Sequence, residues 1–217
     1  MSHFSHLNSN KRCTVALDCD GVLLDFVSHF KNIGHAALGR PLEDLCNVYD
    51  LTKRFGLSND ERSKIMNLLN TDSGWSDLPD LPGAISSAIS LQEAGHRVIV
   101  VTAIDEAHKM SRLFNLATYG FRPDEIYCIG SHSGHTKADV YKEEQPHAVV
   151  DDRLVYLNEA KTTIVRQEVE LVWVNDEIPQ DGLTPDFVHH EVSAFSNWAE
   201  KIFAKQKPLT VQRKFNF

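Results

Sequence analysis

Apolar positions along the chain fall into two alternating patterns. Five short runs rich in Val and Ile, at 13–17, 98–101, 126–129, 148–150 and 171–174, are continuously apolar. Such runs suit strands covered on both faces, as in a parallel sheet. Between them, Ala84, Ile85, Ala88, Ile89 and Gln92 follow helical spacing as far as Gly95, and the segment 105–119 runs as far as Gly120. Each glycine fits the left-handed cap that ends a helix. Strand and helix in repetition predict an α/β fold: a Rossmann-like parallel sheet flanked by helices, with right-handed crossovers.

One gap breaks the rhythm. About 80 residues separate Leu17 from Val98, far more than one crossover helix needs. The inserted stretch reads as helical: Phe26, Phe30, Ile33, Ala37 and Leu38 form one apolar stripe, and Ser58 with Glu61 makes a capping box ahead of Ile65, Leu68 and Leu69. The run DLPDLPGA at 77–84 marks the return to the sheet. The expected organisation is an N-terminal tail at 1–12, an α/β core at 13–25 and 81–204, a small helical cap at 26–80 inserted after the first strand, and a basic C-terminal tail at 205–217, read as a frayed or docked end.

Composition narrows the function classes. At 217 residues and roughly 150 per domain, one main core plus an insert is the natural size. With 42% hydrophobic and 24% charged residues the chain is not a disordered or fibrous one. A net charge of −8 lacks the basic footprint of a duplex nucleic-acid binder. No stretch approaches the ~18 apolar residues needed to cross a bilayer, so no membrane partner and a cytoplasmic location are expected. Cys13, Cys19, Cys46 and Cys128 form no C-x-x-C pair and read as reduced, mostly buried thiols.

Candidate chemistry concentrates where strands end. In LDCDGVLLDF at 17–26, the first strand stops in two carboxylates, Asp18 and Asp20, followed by Gly21. Ligands of α/β sheets sit beyond the carboxyl ends of the strands, so both point to a site. Cys19, between them, faces the other way by strand alternation and reads as packing. The second strand runs into Thr102, the fourth into Asp151 and Asp152, and GSHSGHTKADV at 130–140 offers Lys137 near a helix start. Close carboxylates repel by about 4 kcal/mol per pair at an effective dielectric near 20, and so call for a cation. An all-oxygen donor set favours Mg²⁺. Arg153 reads as a structural ion-pair partner, and His132 and His135 are left out of the site.

This ordered set resembles the haloacid dehalogenase superfamily of phosphohydrolases, whose motifs are Asp-x-Asp after the first strand, Thr or Ser after the second, a Lys or Arg, and an acidic pair. The resemblance implies that Asp18 is a nucleophile forming an aspartyl-phosphate and Asp20 a general acid and base. Lys137 and Thr102, with Ala103 beside it, would bind the phosphoryl group. Mg²⁺ would be held by Asp18, the Asp20 backbone carbonyl and the acidic pair, with Asp152 the direct ligand and Asp151 in or beside the coordination sphere. Asp20 points to phosphate esters, since members cleaving carbon–halogen or carbon–phosphorus bonds typically lack it.

More narrowly, DCDGVLLDF, GWSDLPDLPGA at 74–84, VVDDR at 149–153 and SNWAEKI at 196–202 make the chain similar to 5'(3')-deoxyribonucleotidases. That implies a nucleoside monophosphate substrate, with Phe26 and Trp75 either stacking on its base or serving as cap core, and a homodimer. Two departures stand out: Gly74 occupies a place where that family tends to carry an aromatic, and about six extra residues lie between Lys137 and Asp151. The alternatives are a phosphatase for another small phosphoester, such as a sugar phosphate, and a non-hydrolytic module binding a phosphometabolite. The second is disfavoured because Asp18, Asp20 and Lys137 are all intact.

Overall fold

The computed structural model describes residues 12–130, 134–166, 168–174 and 185–203. Among them the apolar runs become β1 (Thr14–Leu17), β2 (Arg97–Thr102), β3 (Glu125–Cys128), β4 (Ala148–Asp151) and β5 (Glu170–Val174). A further strand, β6 (His190–Val192), has no apolar run to announce it. The sheet order is β3-β2-β1-β4-β5-β6, and every neighbouring pair is parallel. At this edge polar residues are tolerated, which is why His190 and Glu191 hide the strand from a hydrophobicity reading. His190 opens this edge strand, and the ring of His189, just before it, accepts a hydrogen bond from the Leu171 amide at 3.0 Å.

Helices α1 (Phe26–Leu38), α2 (Leu51–Arg54), α3 (Asn59–Leu69) and α4 (Asp72–Ser76) lie between β1 and α5 (Ala84–Glu93). α6 (Lys109–Thr118), α7 (Lys137–Glu144), α8 (Leu154–Thr163) and α9 (Phe195–Phe203) complete the described set. Strand side chains alternate between two cores. Val15, Leu17, Val98, Val100 and Val172 pack with Ala88 and Leu91 of α5 and Trp198 of α9, whereas Ala16, Ile99, Val149 and Trp173 pack with Val140 and Tyr141 of α7 and Leu157 of α8. Both faces being covered, β1 to β5 are apolar along their middles and carry polar residues only at their ends.

The helix boundaries follow local chemistry. The Asp25 carboxylate accepts from the Ser28 amide at 2.9 Å and starts α1. Ser58 and Glu61 form the expected capping box, with Ser58 N donating to Glu61 at 2.9 Å and Glu61 N to the Ser58 hydroxyl at 3.2 Å. Gly95 and Gly120 lie at positive φ just beyond α5 and α6. Ile65 and Leu69 of α3 are buried, but Leu68, expected in the same stripe, is exposed. The chain leaves for the insert and returns from it side by side: Asp25 N donates to Pro79 O at 2.8 Å, and Leu81 N to Leu23 O at 2.9 Å. Among the described residues no helix is long and apolar enough to cross a membrane. The basic tail at 205–217 and His132 lie outside the described residues.

Candidate active site

Parallel register aligns the strand ends. Leu17 pairs with Val100 on one side and Val150 on the other, so Asp18 comes level with Asp151, and its amide donates to Val150 O at 2.9 Å. After Asp18 the chain turns sharply: the amides of Leu23 and Leu24 both donate to Cys19 O. Gly21 makes the turn possible. Its φ is +81°, and a Cβ there would sit 2.7 Å from an Asp152 carboxylate oxygen. Cys19 is fully buried in the core, and burial pushes its thiol far up, which suits the packing role.

Lys137 is the first residue of α7, held there by a capping box between Thr136 and Asp139. Its side chain is sealed from solvent, and the ammonium stands 2.7 Å from Asp151 Oδ2 and 3.0 Å from Asp18 Oδ1, with the Tyr156 ring centroid at 4.2 Å. Burial alone would lower the Lys137 pKa; Asp151 and Asp18 hold it well above the usual value. Asp151 Oδ1 accepts from the Arg153 amide at 2.8 Å. Burial pushes the Asp151 carboxyl up to about 7 against the pull of Lys137. Burial, Asp18 and Asp151 push Asp152 well above the carboxylate range.

Asp18, Asp151 and Asp152 each offer an oxygen within 4.8 Å of the others. Three carboxylates against one ammonium leave an excess of two negative charges, the charge of a single divalent cation, and the donors are hard oxygens that suit Mg²⁺. The Asp20 carboxylate stands apart from this group. Its Oδ1 accepts from Arg112 Nη2 at 2.7 Å; burial raises its pKa, while Arg112 opposes the rise. Thr102 Oγ1 is fully buried and has no hydrogen-bond partner among the described residues, as fits a hydroxyl kept for a ligand.

A cavity of about 770 Å³ opens above these groups and is lined by Asp18, Asp20, Asp152 and Ala103 on the core side. Phe26 and Trp75 line it from the insert, stacked on each other with ring centroids 6.1 Å apart and planes at 18°. Arg54 and Arg62 also face it from α2 and α3. A side chain at position 74 has no room: a Cβ on Gly74 would lie 2.2 Å from Leu69 O, and Gly74 O is bonded to the His29 ring at 2.8 Å. Arg153 differs from the expectation of an ion pair. Its guanidinium stacks on the Tyr49 ring at 3.3 Å, joining core to insert, and it lines the cavity.

Arg112, Tyr49, Tyr156, Arg54 and Arg62 were not singled out by sequence. Arg112 is the least readable, because α6 inverts the usual rule: Met110 and Phe114 are exposed, while Arg112 and Asn115 are buried toward the insert. The Asn115 amide donates to Leu78 O at 2.9 Å, which explains its side of that inversion.

No family model matches the chain, and no curated protein matches its sequence. Solved structures do match in shape. A haloacid dehalogenase-like family hydrolase from Streptococcus pneumoniae aligns with TM-score 0.58 at 16% identity, covering 89% of this chain and 97% of that one. A phosphonoacetaldehyde hydrolase like protein from Oleispira antarctica gives 0.53 at 15%, covering 91% and 95%. The D,D-heptose 1,7-bisphosphate phosphatase from B. bronchiseptica, complexed with magnesium and phosphate, gives 0.50 at 15%, covering 89% and 99%. The six-stranded parallel sheet, with a helical insert after its first strand, thus has the fold of haloacid dehalogenase-like hydrolases.

Proposed function

We propose that the protein is a Mg²⁺-dependent phosphomonoester hydrolase acting through an aspartyl-phosphate on Asp18, with nucleoside monophosphates as substrates. The observation that carries this reading is the ion-paired set of Asp18, Lys137 and Asp151, with Asp152 in the same group and Asp20 two residues along on the cavity wall. Asp18, Asp151 and Asp152 would hold the metal with the Asp20 backbone carbonyl. Bound Mg²⁺ would supply charge that offsets the phosphoryl oxygens.

Asp18 attacks phosphorus while the ester P–O bond breaks and Asp20 gives its proton to the leaving oxygen. Asp20 then takes a proton from water as that water attacks phosphorus, the bond to Asp18 breaks, and phosphate leaves. Lys137 offsets charge beside Asp18, and the Thr102 hydroxyl donates to a phosphoryl oxygen. Phe26 and Trp75 present an aromatic wall on which a base would stack, worth about 1–3 kcal/mol. A second reading, a small phosphoester with another anionic group, draws on Arg54 and Arg62 at the same cavity, which a neutral base does not need.

The test is phosphate release with and without Mg²⁺ from 5'- and 3'-deoxynucleotides, ribonucleotides, sugar phosphates, bisphosphates and an aryl phosphate, with Asp18→Asn as control. Turnover requiring Mg²⁺ and Asp18 with preference for deoxynucleotides is expected. Preference for bisphosphates or sugar phosphates overturns the nucleotide claim, and turnover of none overturns the hydrolase reading.

A further inference from the structure

Arg112 is a buried cation with one anionic partner among the described residues. Its side chain is 0% exposed, and among the described residues only Nη2 is engaged, on Asp20 Oδ1, while Nε and Nη1 have no hydrogen-bond partner there. The guanidinium carbon stands 5.2 Å from the Trp75 ring centroid, on the insert side. The cavity lining includes Asp20 but not Arg112. A guanidinium sealed away from solvent is expensive unless it is paired and hydrogen-bonded, and two of its three nitrogens are left unmet here. Packing α6 against α4 would be served more cheaply by an apolar side chain. What Arg112 does achieve is to fix one oxygen of a carboxylate whose side chain is still 23% exposed.

We propose that Arg112 is a positioning residue for Asp20: it clamps Oδ1, keeps the carboxylate from rotating into the Asp18, Asp151 and Asp152 group, and so presents Oδ2 to the leaving oxygen of the substrate. Trp75 covers the guanidinium from α4 and holds the clamp in place. The inference rests on Asp20 being the acid and base of the proposed reaction. A proton donor acts only through a defined oxygen at hydrogen-bond distance, so a carboxylate free to swing loses much of the rate that general acid catalysis supplies, about 10²–10⁴-fold.

The experiment is a double-mutant cycle on Mg²⁺-loaded protein with Arg112→Met, Asp20→Asn and the pair, alongside Arg112→Lys. Each variant is assayed on an alkyl phosphate and on 4-nitrophenyl phosphate, whose leaving group needs little protonation, with single-turnover release of nitrophenolate read separately. Expected are a fall of about tenfold or more in kcat on the alkyl ester for Arg112→Lys, a smaller fall in nitrophenolate release, and little change in KM. Adding Arg112→Met to Asp20→Asn should change kcat less than twofold, since a positioning residue has nothing left to position. Because the pair removes the buried cation and neutralises its carboxylate partner together, it also guards against a fold lost through an unpaired charge. Independent losses that multiply, or equal losses on both esters, would overturn the proposal. Activity in Asp20→Asn equal to the starting protein would instead overturn the role of Asp20 itself.

Discussion

Lys137→Met tests the electrostatic logic of the site through stability alone. The ammonium lies 2.7 Å from Asp151 and 3.0 Å from Asp18, with all three groups buried. At an effective dielectric near 20 each contact is worth roughly 5–6 kcal/mol before desolvation is subtracted. Removing one partner of a buried pair leaves the other uncompensated and costs about 3–5 kcal/mol. For a chain of this length that lowers Tm by about 6–20 °C. The loss should also depend on pH. Lys137 is among the groups that hold the Asp151 carboxyl down at about 7, so its removal lets burial raise that value further. A carboxyl with a folded value above its unfolded one, near 4, binds its proton more tightly in the fold, so stability falls as pH rises through that interval. In the variant the interval extends higher, so the gap to the parent protein should be smaller at pH 5, where Asp151 holds its proton and the Asp18 contact alone is lost, than at pH 8.5. Urea unfolding followed by circular dichroism, without divalent cations, measures both. A gap under about 1 kcal/mol at pH 8.5, or the same gap at both pH values, would refute the reasoning.

Thr102→Val removes a buried hydroxyl that has no partner among the described residues, so stability should stay within about 1 kcal/mol while kcat/KM falls roughly 10–100-fold, the loss of a hydrogen bond to a charged phosphoryl oxygen. Unfolding curves and steady-state kinetics on one preparation check both halves. Asp152→Asn neutralises a carboxyl that burial, Asp18 and Asp151 push well up. The metal-free protein should gain about 1–2 kcal/mol at pH 8, where that carboxyl would otherwise have to ionise, and the gain should shrink toward pH 5. The parent should rise by about 2.7 kcal/mol at a hundredfold excess of Mg²⁺ over its Kd, and the variant should show no such rise. Thermal shift with and without Mg²⁺ reads both effects.

What the sequence discloses follows from how local each signal is. The five core strands were legible because covering both faces makes their middle positions apolar in an unbroken run, and the α3 capping box because two side chains three apart suffice to form it. The placement of Asp18, Thr102, Lys137 and the acidic pair at one sheet edge was legible because each ends or immediately follows a strand or opens a helix. The remainder depends on long-range packing. Arg112 meets Asp20 across 92 positions of chain, on a helix whose apolar Met110 and Phe114 face outward, so periodicity places it on the wrong side. Arg153 finds Tyr49 in the insert, more than a hundred residues earlier, and no spacing rule joins them. Gly74 was noticed only as a missing aromatic; the backbone of α3 pressing against it supplies the physical reason.

The paired segments through which the chain departs at Asp25 and comes back at Pro79 have a polymer-statistical consequence. Closing a flexible loop costs free energy that grows only as the logarithm of its length, so stretching a ten-residue connection to about fifty adds roughly 1.4 kcal/mol. With those ends already tied, the sheet meets more than fifty intervening residues as though they were a tight turn. Insertions and deletions within α1 to α4 can therefore accumulate at little expense to the strand that carries Asp18. The insert side of the cavity is free to diversify while the strand ends beneath it stay in place.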